Sequence, residues 1–451
     1  MTVTPIKTKA EQQLATHFEA AAPQLPGGGW VPAARRAAFA HFAALGLPHR
    51  RLEAWKYTDL RSKLAASFPS AHASGEQIDE VALVIALGVE LSAMTVNMNC
   101  IRLLFVDGVC NEDGSTGGPR QEIGYRFERL SKRLAAGGKS DLEVAFSDAN
   151  EPHGDALCAL NAAFATDGAC LRIEENVKLT RPIHLVFYST SAKQASTAVR
   201  NIIEVGKGAA VTLIESYVGT EGPARHTSSV TQLRVGEGAT VEHIKLLGEG
   251  SQATLLCATD VEIEAGANYR AFQLVESPAL ARNDVNVTFR GEGASFTFNA
   301  AMLGRGKSHM DTTMVIDHAI PKCTSRELVK GVLDDESRGI FQGKVIVRPD
   351  AQKSDGKQSA RALLLSPNAE FDSKPELEIY ADDVICGHGS TAAELDEDQV
   401  FYLMARGIPR AQARALLIEA FAAEAIEAIE YAPIREAMRG RLQAWLAKSG
   451  A

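Results

Sequence analysis

Gly206-Lys-Gly-Ala209, Gly236-Glu-Gly-Ala239, Glu264-Ala-Gly-Ala267 and Gly291-Glu-Gly-Ala294 are four versions of one corner. Their alanines fall 30, 28 and 27 residues apart, and the step from Ala294 to Ala351 is 57, close to two such periods. Ala351 closes the related corner Arg348-Pro-Asp-Ala351, and Ser366-Pro-Asn-Ala369 is a further relative. Short runs rich in Val, Ile, Thr and Phe lie between the corners. A fixed period with strands between small-residue corners is what stacked coils require. Glycine supplies the backbone angles for turning from one sheet into the next. No strongly periodic helical segment interrupts the region, which disfavours a layered α/β fold. The expected fold is therefore mainly β, a parallel β-helix. A β-sandwich is the alternative, but its turn signals should recur at ~8–12 residues without the longer period.

Outward from this core the patterning changes. Residues 1–170 read as a helical and mixed region: Ala10–Ala20 and Pro32–Ala44 are rich in helix formers, Cys100–Asp107 is strand-like, and Asp155–Ala165 is an apolar helix candidate. The β-helix core is placed at 171–390 and a helical C-terminal region at 391–451. There Asp396 with Gln399 makes a capping-box-like start, and Gly407 with Pro409 closes one helix and opens the next. Leu417, Phe421, Ala425 and Ile429 form an apolar stripe at i, i+4, with Glu419, Glu424, Glu427 and Glu430 on the other face. Exposed ends of a stacked fold need a cap or a partner, and these helices fit either role.

Composition sets outer bounds. The 451 residues carry a net charge of −9, which argues against nucleic acid or an anionic membrane as main partner. No run approaches ~20 apolar residues, and Met1–Gln13 mixes Lys and Glu before any apolar run, unlike a secretory signal. Seven scattered cysteines, none in CxxC spacing, point away from a disulfide framework or a self-contained zinc site. A reduced, cytoplasmic setting is expected.

Three stretches carry side chains apt for chemistry. Ala301-Met-Leu-Gly-Arg-Gly306-Lys307-Ser308 satisfies a permissive phosphate-loop pattern, but a strand-like run follows where a helix is needed, so the match reads as chance. His309 and Asp311 share one face of a strand and read as a structural pair, as do His318 and Cys323 near Pro321. Cys386 and His388, in Asp382-Asp383-Val-Ile-Cys386-Gly-His388-Gly-Ser-Thr391, also share a strand face, their Cβ atoms about 7 Å apart. Thiolate and imidazole are apt ligands for iron or an iron–sulfur cluster. Two ligands make no closed site, and spacing alone favours a packing cysteine beside a satisfied histidine. No nucleophile elbow is present, and β-helices include many saccharide-active enzymes, so a β-helix carbohydrate-active enzyme is the competing reading.

The order of motifs decides between them. Phe341-Gln-Gly-Lys-Val345, Ala351-Gln-Lys-Ser-Asp355 with Gln358, Leu363-Leu-Leu-Ser366, Pro375-Glu-Leu-Glu-Ile379, Ala381-Asp-Asp-Val384 and Cys386-Gly-His-Gly389 succeed one another. Leu395-Asp396, Phe401-Tyr-Leu403 and Arg406-Gly-Ile408 follow. Together with Lys330-Gly-Val-Leu333, Ser337-Arg-Gly339 and the N-terminal Glu53-Ala-Trp-Lys-Tyr-Thr58, the series resembles the SufB/SufD family of iron–sulfur assembly scaffolds. Gly389, where SufB-like chains carry Glu, and Ala360-Arg-Ala362, where they carry a ligand cysteine, favour the SufD side. Gly387 replaces the family's serine, on the opposite strand face.

The resemblance implies a right-handed parallel β-helix flanked by helices and a scaffold rather than an enzyme. It implies pairing with SufB, a docked SufC ATPase that performs nucleotide hydrolysis, and no stably bound cofactor. A homodimer is an option when SufB is absent. Cys386 and His388 would be transient ligands of iron or a nascent cluster at the SufB interface. Leu417, Phe421 and Glu424 of the last helices would belong to the SufC-docking surface.

Overall fold

The computed structural model describes residues 7–71, 99–116, 124–138, 142–143, 146, 156–190, 193–219 and 221–448. Residues 1–6 and Asp155, which fall in stretches read above, lie outside these. The fold is a parallel β-solenoid of two facing sheets with helices at both termini. One sheet contains β1 (Ile101–Val106), β2 (Val109–Asn111), β5 (Ile183–Ser189), β7 (Ala210–Gly219), β9 (Thr240–Gly248), β11 (Asn268–Glu276), β13 (Ser295–Gly304), β15 (Thr324–Leu333), β17 (Asp355–Leu364) and β19 (Ile385–Ala393). The other contains β3 (Tyr125–Arg129), β4 (Ala169–Ile173), β6 (Ala195–Val205), β8 (Arg225–Val235), β10 (Ala253–Ile263), β12 (Leu280–Phe289), β14 (His309–His318), β16 (Arg338–Val347) and β18 (Glu370–Ile379). From β4 onward successive strands alternate between the sheets, so each coil adds one rung to each. Pairing is parallel and in register, except that β2 and β3 pair antiparallel with β1 and β4. Because β1 pairs with β5, the stacking begins before residue 171.

The corners work as their sequence requires. Gly208, Gly238, Gly266 and Gly293 take φ of 62°, 64°, 63° and 70°, in the left-handed region that penalises a Cβ. Each following alanine, 209, 239, 267 and 294, is buried in the interior. Corners also bond to one another: Gly208 N donates to Glu237 O at 2.8 Å, and Gly238 N to Ala265 O at 2.9 Å. Register then stacks like on like inside, as in the ring series Phe105, Phe187 and Tyr217 at 5.0 and 4.8 Å.

One interior region is polar. Glu215 on β7 is fully buried. Its carboxylate accepts from Tyr217 Oη at 2.7 Å and Thr231 Oγ1 at 2.9 Å, with His243 Nε2 at 3.1 Å and Lys245 Nζ at 3.6 Å. Burial alone would raise its pKa, but the Lys245 and His243 side chains and the Tyr217 hydroxyl hold it well below the usual carboxylate range.

Helices cover both outer faces. At the N-terminal side are α1 (Lys9–Ala21), α2 (Val31–Leu45), α3 (Leu60–Lys63), α4 (Leu130–Ala136) and α5 (Ala156–Phe164). A capping box opens α1: Thr8 Oγ1 accepts from Glu11 N, and the Glu11 carboxylate accepts from Thr8 N. The Glu53–Thr58 motif is pinned to the outside of β12 and β14. The Arg282 guanidinium lies 3.7 Å from the centre of the Trp55 ring and pairs with Asp311 and Asp284, both at 2.7 Å. Thr58 bonds Asp311 and lies 2.9 Å from His309 Nε2. His309 and Asp311 are thus a structural pair, the imidazole pushed down to about 3 mainly by burial.

At the C-terminal side are α6 (Glu397–Met404), α7 (Arg410–Ile426) and α8 (Ala432–Ala447). Asp396 caps α6, and Gly407, at φ 84°, and Pro409 separate it from α7. Ile418, Ala422, Ala425, Ile429, Met438 and Leu442 pack on the apolar outer face of the ten-stranded sheet. Polar contacts repeat along this strap. Glu424 meets the buried Lys330 of β15, Glu430 pairs with Arg270 of β11 at 2.5 Å, and Arg441 donates to Glu276 of β11 at 2.8 Å. Glu242 of β9 accepts from Glu430 N at 2.5 Å. None of the described helices is long and apolar enough to cross a membrane.

Candidate functional site

Beyond the cover of both helical regions the solenoid ends on β18 and β19, each with one sheet neighbour. Their outer edges present unpaired backbone groups, a ready template for another chain. Cys386 and His388 sit on β19, opposite Gly356 and Gln358 of β17. Strand alternation points both side chains toward the interior, at the rung where it opens to solvent. Neighbours agree: a Cβ built on Gly356 would lie 3.7 Å from Cys386 Sγ, 3.4 Å from Ser325 Oγ and 3.4 Å from Val345 Cγ1 of the facing sheet. Cys386 is half-buried against the core, whereas His388 is exposed. Among the described residues none hydrogen-bonds the His388 ring, so the satisfied histidine of the packing reading is not found.

Burial pushes the Cys386 thiol up; a Gly356 backbone bond and Arg326 oppose this, while the Asp355 and Glu327 carboxyls add to it. The resting form is a thiol, and a bound cation must displace its proton. Among the described residues no three His, Cys, Asp or Glu side chains converge closely enough to hold a metal ion. The pair is therefore an incomplete ligand set. An open groove of about 460 Å³ crosses the same strands, walled by Thr297, Asn299, Arg326 and Lys357 and reaching the segment Cys386–His388.

Beneath this pair lies a row that sequence reasoning missed. Register stacks Phe298, Glu327, Gln358 and His388 on successive rungs. Glu327 and Gln358 are each only 3% exposed, yet no carboxyl oxygen of Glu327 and no amide atom of Gln358 has a hydrogen-bond partner. Burial raises the Glu327 carboxyl to about 8, against smaller pulls from the Ser325 hydroxyl and Arg326. A strand glutamate at an alternating position gives no sequence signal of its own. Gln358 stands within the motif series, and Gly343 on the facing sheet is what lets its amide fit, since a Cβ there would come within 2.8 Å of Gln358 Nε2.

The remaining candidates fall elsewhere. Ala301–Gly304 ends β13, Gly306 turns the chain, and Lys307 pairs with Glu336 on the surface, so no helix receives a phosphate there. His318 Nε2 lies 3.2 Å from Ser325 Oγ and Cys323 is buried, both inside the solenoid. Phe421 and Glu424 both contact the solenoid at Lys330, whose ammonium sits 4.3 Å from the Phe421 ring centre and pairs with Glu424, while Glu424 remains half exposed. Leu417 is half-buried.

The sequence is matched by known proteins. Residues 187–421, more than half of the chain, fit the model "SUF system FeS cluster assembly, SufBD core domain". The chain belongs to the SufBD family. Residues 8–78 fit the SufBD N-terminal region. The chain is 28% identical to the iron–sulfur cluster assembly protein SufD of Escherichia coli over 405 residues, 88% of this chain and 89% of that one. It is 30% identical over 417 residues to an iron–sulfur cluster assembly SufBD family protein of Synechocystis, covering 88% and 87%. SufD of Bacillus subtilis is 29% identical over 280 residues, 60% of this chain and 62% of that one. As a SufBD protein the chain serves iron–sulfur cluster assembly, and its resemblance to named SufD proteins agrees with Gly389 and Ala360-Arg-Ala362.

Proposed function

We propose that this SufBD protein is a SufD-type scaffold subunit that pairs with SufB across the open end of its solenoid. Cys386 and His388 are its share of a joint site at which iron or a nascent cluster is handled as cargo. One observation carries the reading: a half-buried thiol and an unengaged imidazole face the uncovered end of the interior, on an edge strand able to extend a second sheet. Two soft ligands are too few for iron or a cluster, so an apposed subunit supplies the rest. The same edge would close a homodimer when SufB is absent.

The chain itself has a scaffold's task, with nucleotide hydrolysis assigned to SufC in the cytoplasm. SufC docking is placed on the outward side of α6 and the start of α7. There Phe401 is 70% exposed and Tyr402 57%, and Met404 and Leu416 are exposed too. Leu417 lies at the margin of this patch, while Phe421 and Glu424 hold the strap to the solenoid.

The test is co-purification of the chain with SufB and SufC, followed by anaerobic iron and sulfide quantification for wild type and His388→Ala. A ternary complex whose variant keeps its partners but loses cluster loading supports the reading. Undiminished loading assigns Cys386 and His388 to packing, and activity of the isolated chain on a saccharide overturns the scaffold.

A further inference from the structure

The C-terminal helices cover only part of the outer face of the ten-stranded sheet. On β13 they pack against Ala301 and Leu303. Thr297 and Asn299, earlier on the same face, instead line the groove of about 460 Å³. Phe296, Phe298 and Ala300 alternate with them and face the core, so the groove lies outside the solenoid. Register sets its shape. Thr297, Arg326 and Lys357 make one row across β13, β15 and β17, and Asn299, Leu328 and Ser359 make the next. On β19 both rows end in glycine, at 387 and 389, where a Cβ would meet nothing within 4 Å. The rows lie about 7 Å apart along the strands and cross about 14 Å of sheet. Such a channel takes an extended chain but not a helix, which is about 10 Å across.

The groove is cationic and rich in donors. Lys357 is exposed and makes no ion pair among the described residues. Arg326 pairs with Asp355 at 2.5 Å and keeps 41% of its side chain exposed. The outer faces of β13, β15, β17 and β19 carry four cations, Arg326, Lys330, Lys357 and Arg361, against the single carboxylate Asp355. Glu424 of α7 is the second carboxylate to reach them. Positive charge is left over here, in a chain whose net charge is −9. Asn299 is only 8% exposed, yet its side-chain amide bonds no described group, whereas buried amides ordinarily find partners.

We propose that this groove docks a short acidic segment of another protein in extended form. Its carboxylates meet Lys357 and Arg326, and its backbone meets the Asn299 amide. This goes beyond the scaffold reading and stands without it. Charge selects the occupant: the surplus is local, and the acidic remainder of the chain repels a long polyanion such as nucleic acid. A ligand whose negative charge is confined to a few residues fits both conditions. A segment lying in the groove ends at Cys386–His388, so docking brings its owner to the open end of the solenoid.

Fluorescein-labelled hexaglutamate, titrated with the full-length protein and followed by anisotropy, tests the groove. Wild type should bind it and not hexaglutamine, more tightly at about 50 mM than at about 200 mM salt. Lys357→Glu and Asn299→Asp should each weaken binding at least ~10-fold. Lys207→Glu, at the distant corner between β6 and β7, should leave it unchanged. Melting curves confirm that each variant is folded, and Lys357→Glu, on an exposed side chain, carries the test if Asn299→Asp is not. Wild type that ignores hexaglutamate, or equal losses in Lys357→Glu and Lys207→Glu, overturns the site. Full displacement by glutarate at the same carboxylate concentration overturns the peptide in favour of a small dianion. Tighter, Lys357-dependent binding of an oligothymidylate of equal charge overturns the choice of protein over nucleic acid.

Discussion

Two glutamates face the interior of the same solenoid in opposite condition. Glu215 is held by Tyr217, Thr231, His243 and Lys245, all from rungs packed around it. Glu327, four strands further on in the same sheet, is as deeply buried yet has no hydrogen bond of ordinary geometry, only the weaker pulls of the Ser325 hydroxyl and Arg326. The first is what a fold does with a buried charge when it serves only the fold. The second gives up stability at the end of the stack where Cys386 and His388 lie. Burial alone does not separate structure from function in this interior; the number of partners does.

The sharpest way to break the comparison is Glu215→Leu. It strands the Lys245 ammonium and should cost about 3–5 kcal/mol, read as a lowered urea midpoint or as insoluble protein. A loss below ~1 kcal/mol would mean that the network is ornamental. Because the Glu215 pKa is depressed, its contribution is complete above the ordinary carboxylate value and fades as pH falls below about 4. Wild type should therefore weaken in acid more steeply than Glu215→Gln. Next in size is Glu327→Met, expected to leave stability unchanged or raise it by about 1–2 kcal/mol, because it removes an unpartnered carboxyl. A marked loss would put Glu327 in the same class as Glu215. His388→Ala should shift stability by no more than ~0.5 kcal/mol, since the ring is exposed and unengaged, while cluster loading falls. The smallest effect belongs to Gly356→Ala. The added methyl meets its neighbours at ordinary contact distance, so the melting temperature should hold, and any change in Cys386 alkylation rate reports crowding of the rung below it.

The corner alanines made the solenoid legible, because four successive coils place a left-handed glycine before a small buried residue, a position that Lys322 and Lys353 fill in later coils. Cys386 and His388 were legible as a same-face pair, but their exposure was not, since spacing along a strand says nothing about where a stack ends. Phe421 and Glu424 were read on an outward surface. In the helix both contact Lys330, on a strand about 90 residues earlier, while the Glu424 side chain stays half exposed. Glu327 was invisible for a related reason: its meaning depends on the rungs stacked above it, and register is a property of the whole coil.

The C-terminal strap has one more consequence. Its contacts with Glu242, Arg270, Glu276 and Lys330 reach β9, β11 and β15 from Glu424 on α7, Arg441 on α8 and Glu430 in the turn between them. A stacked ladder has no intrinsic length, because any coil can be removed and the neighbours re-paired. The strap acts as a gauge against that freedom. Excising one coil of about 28 residues would leave every remaining rung matched yet shift the helices by about 4.8 Å against their anchor points, so the molecule counts its own coils.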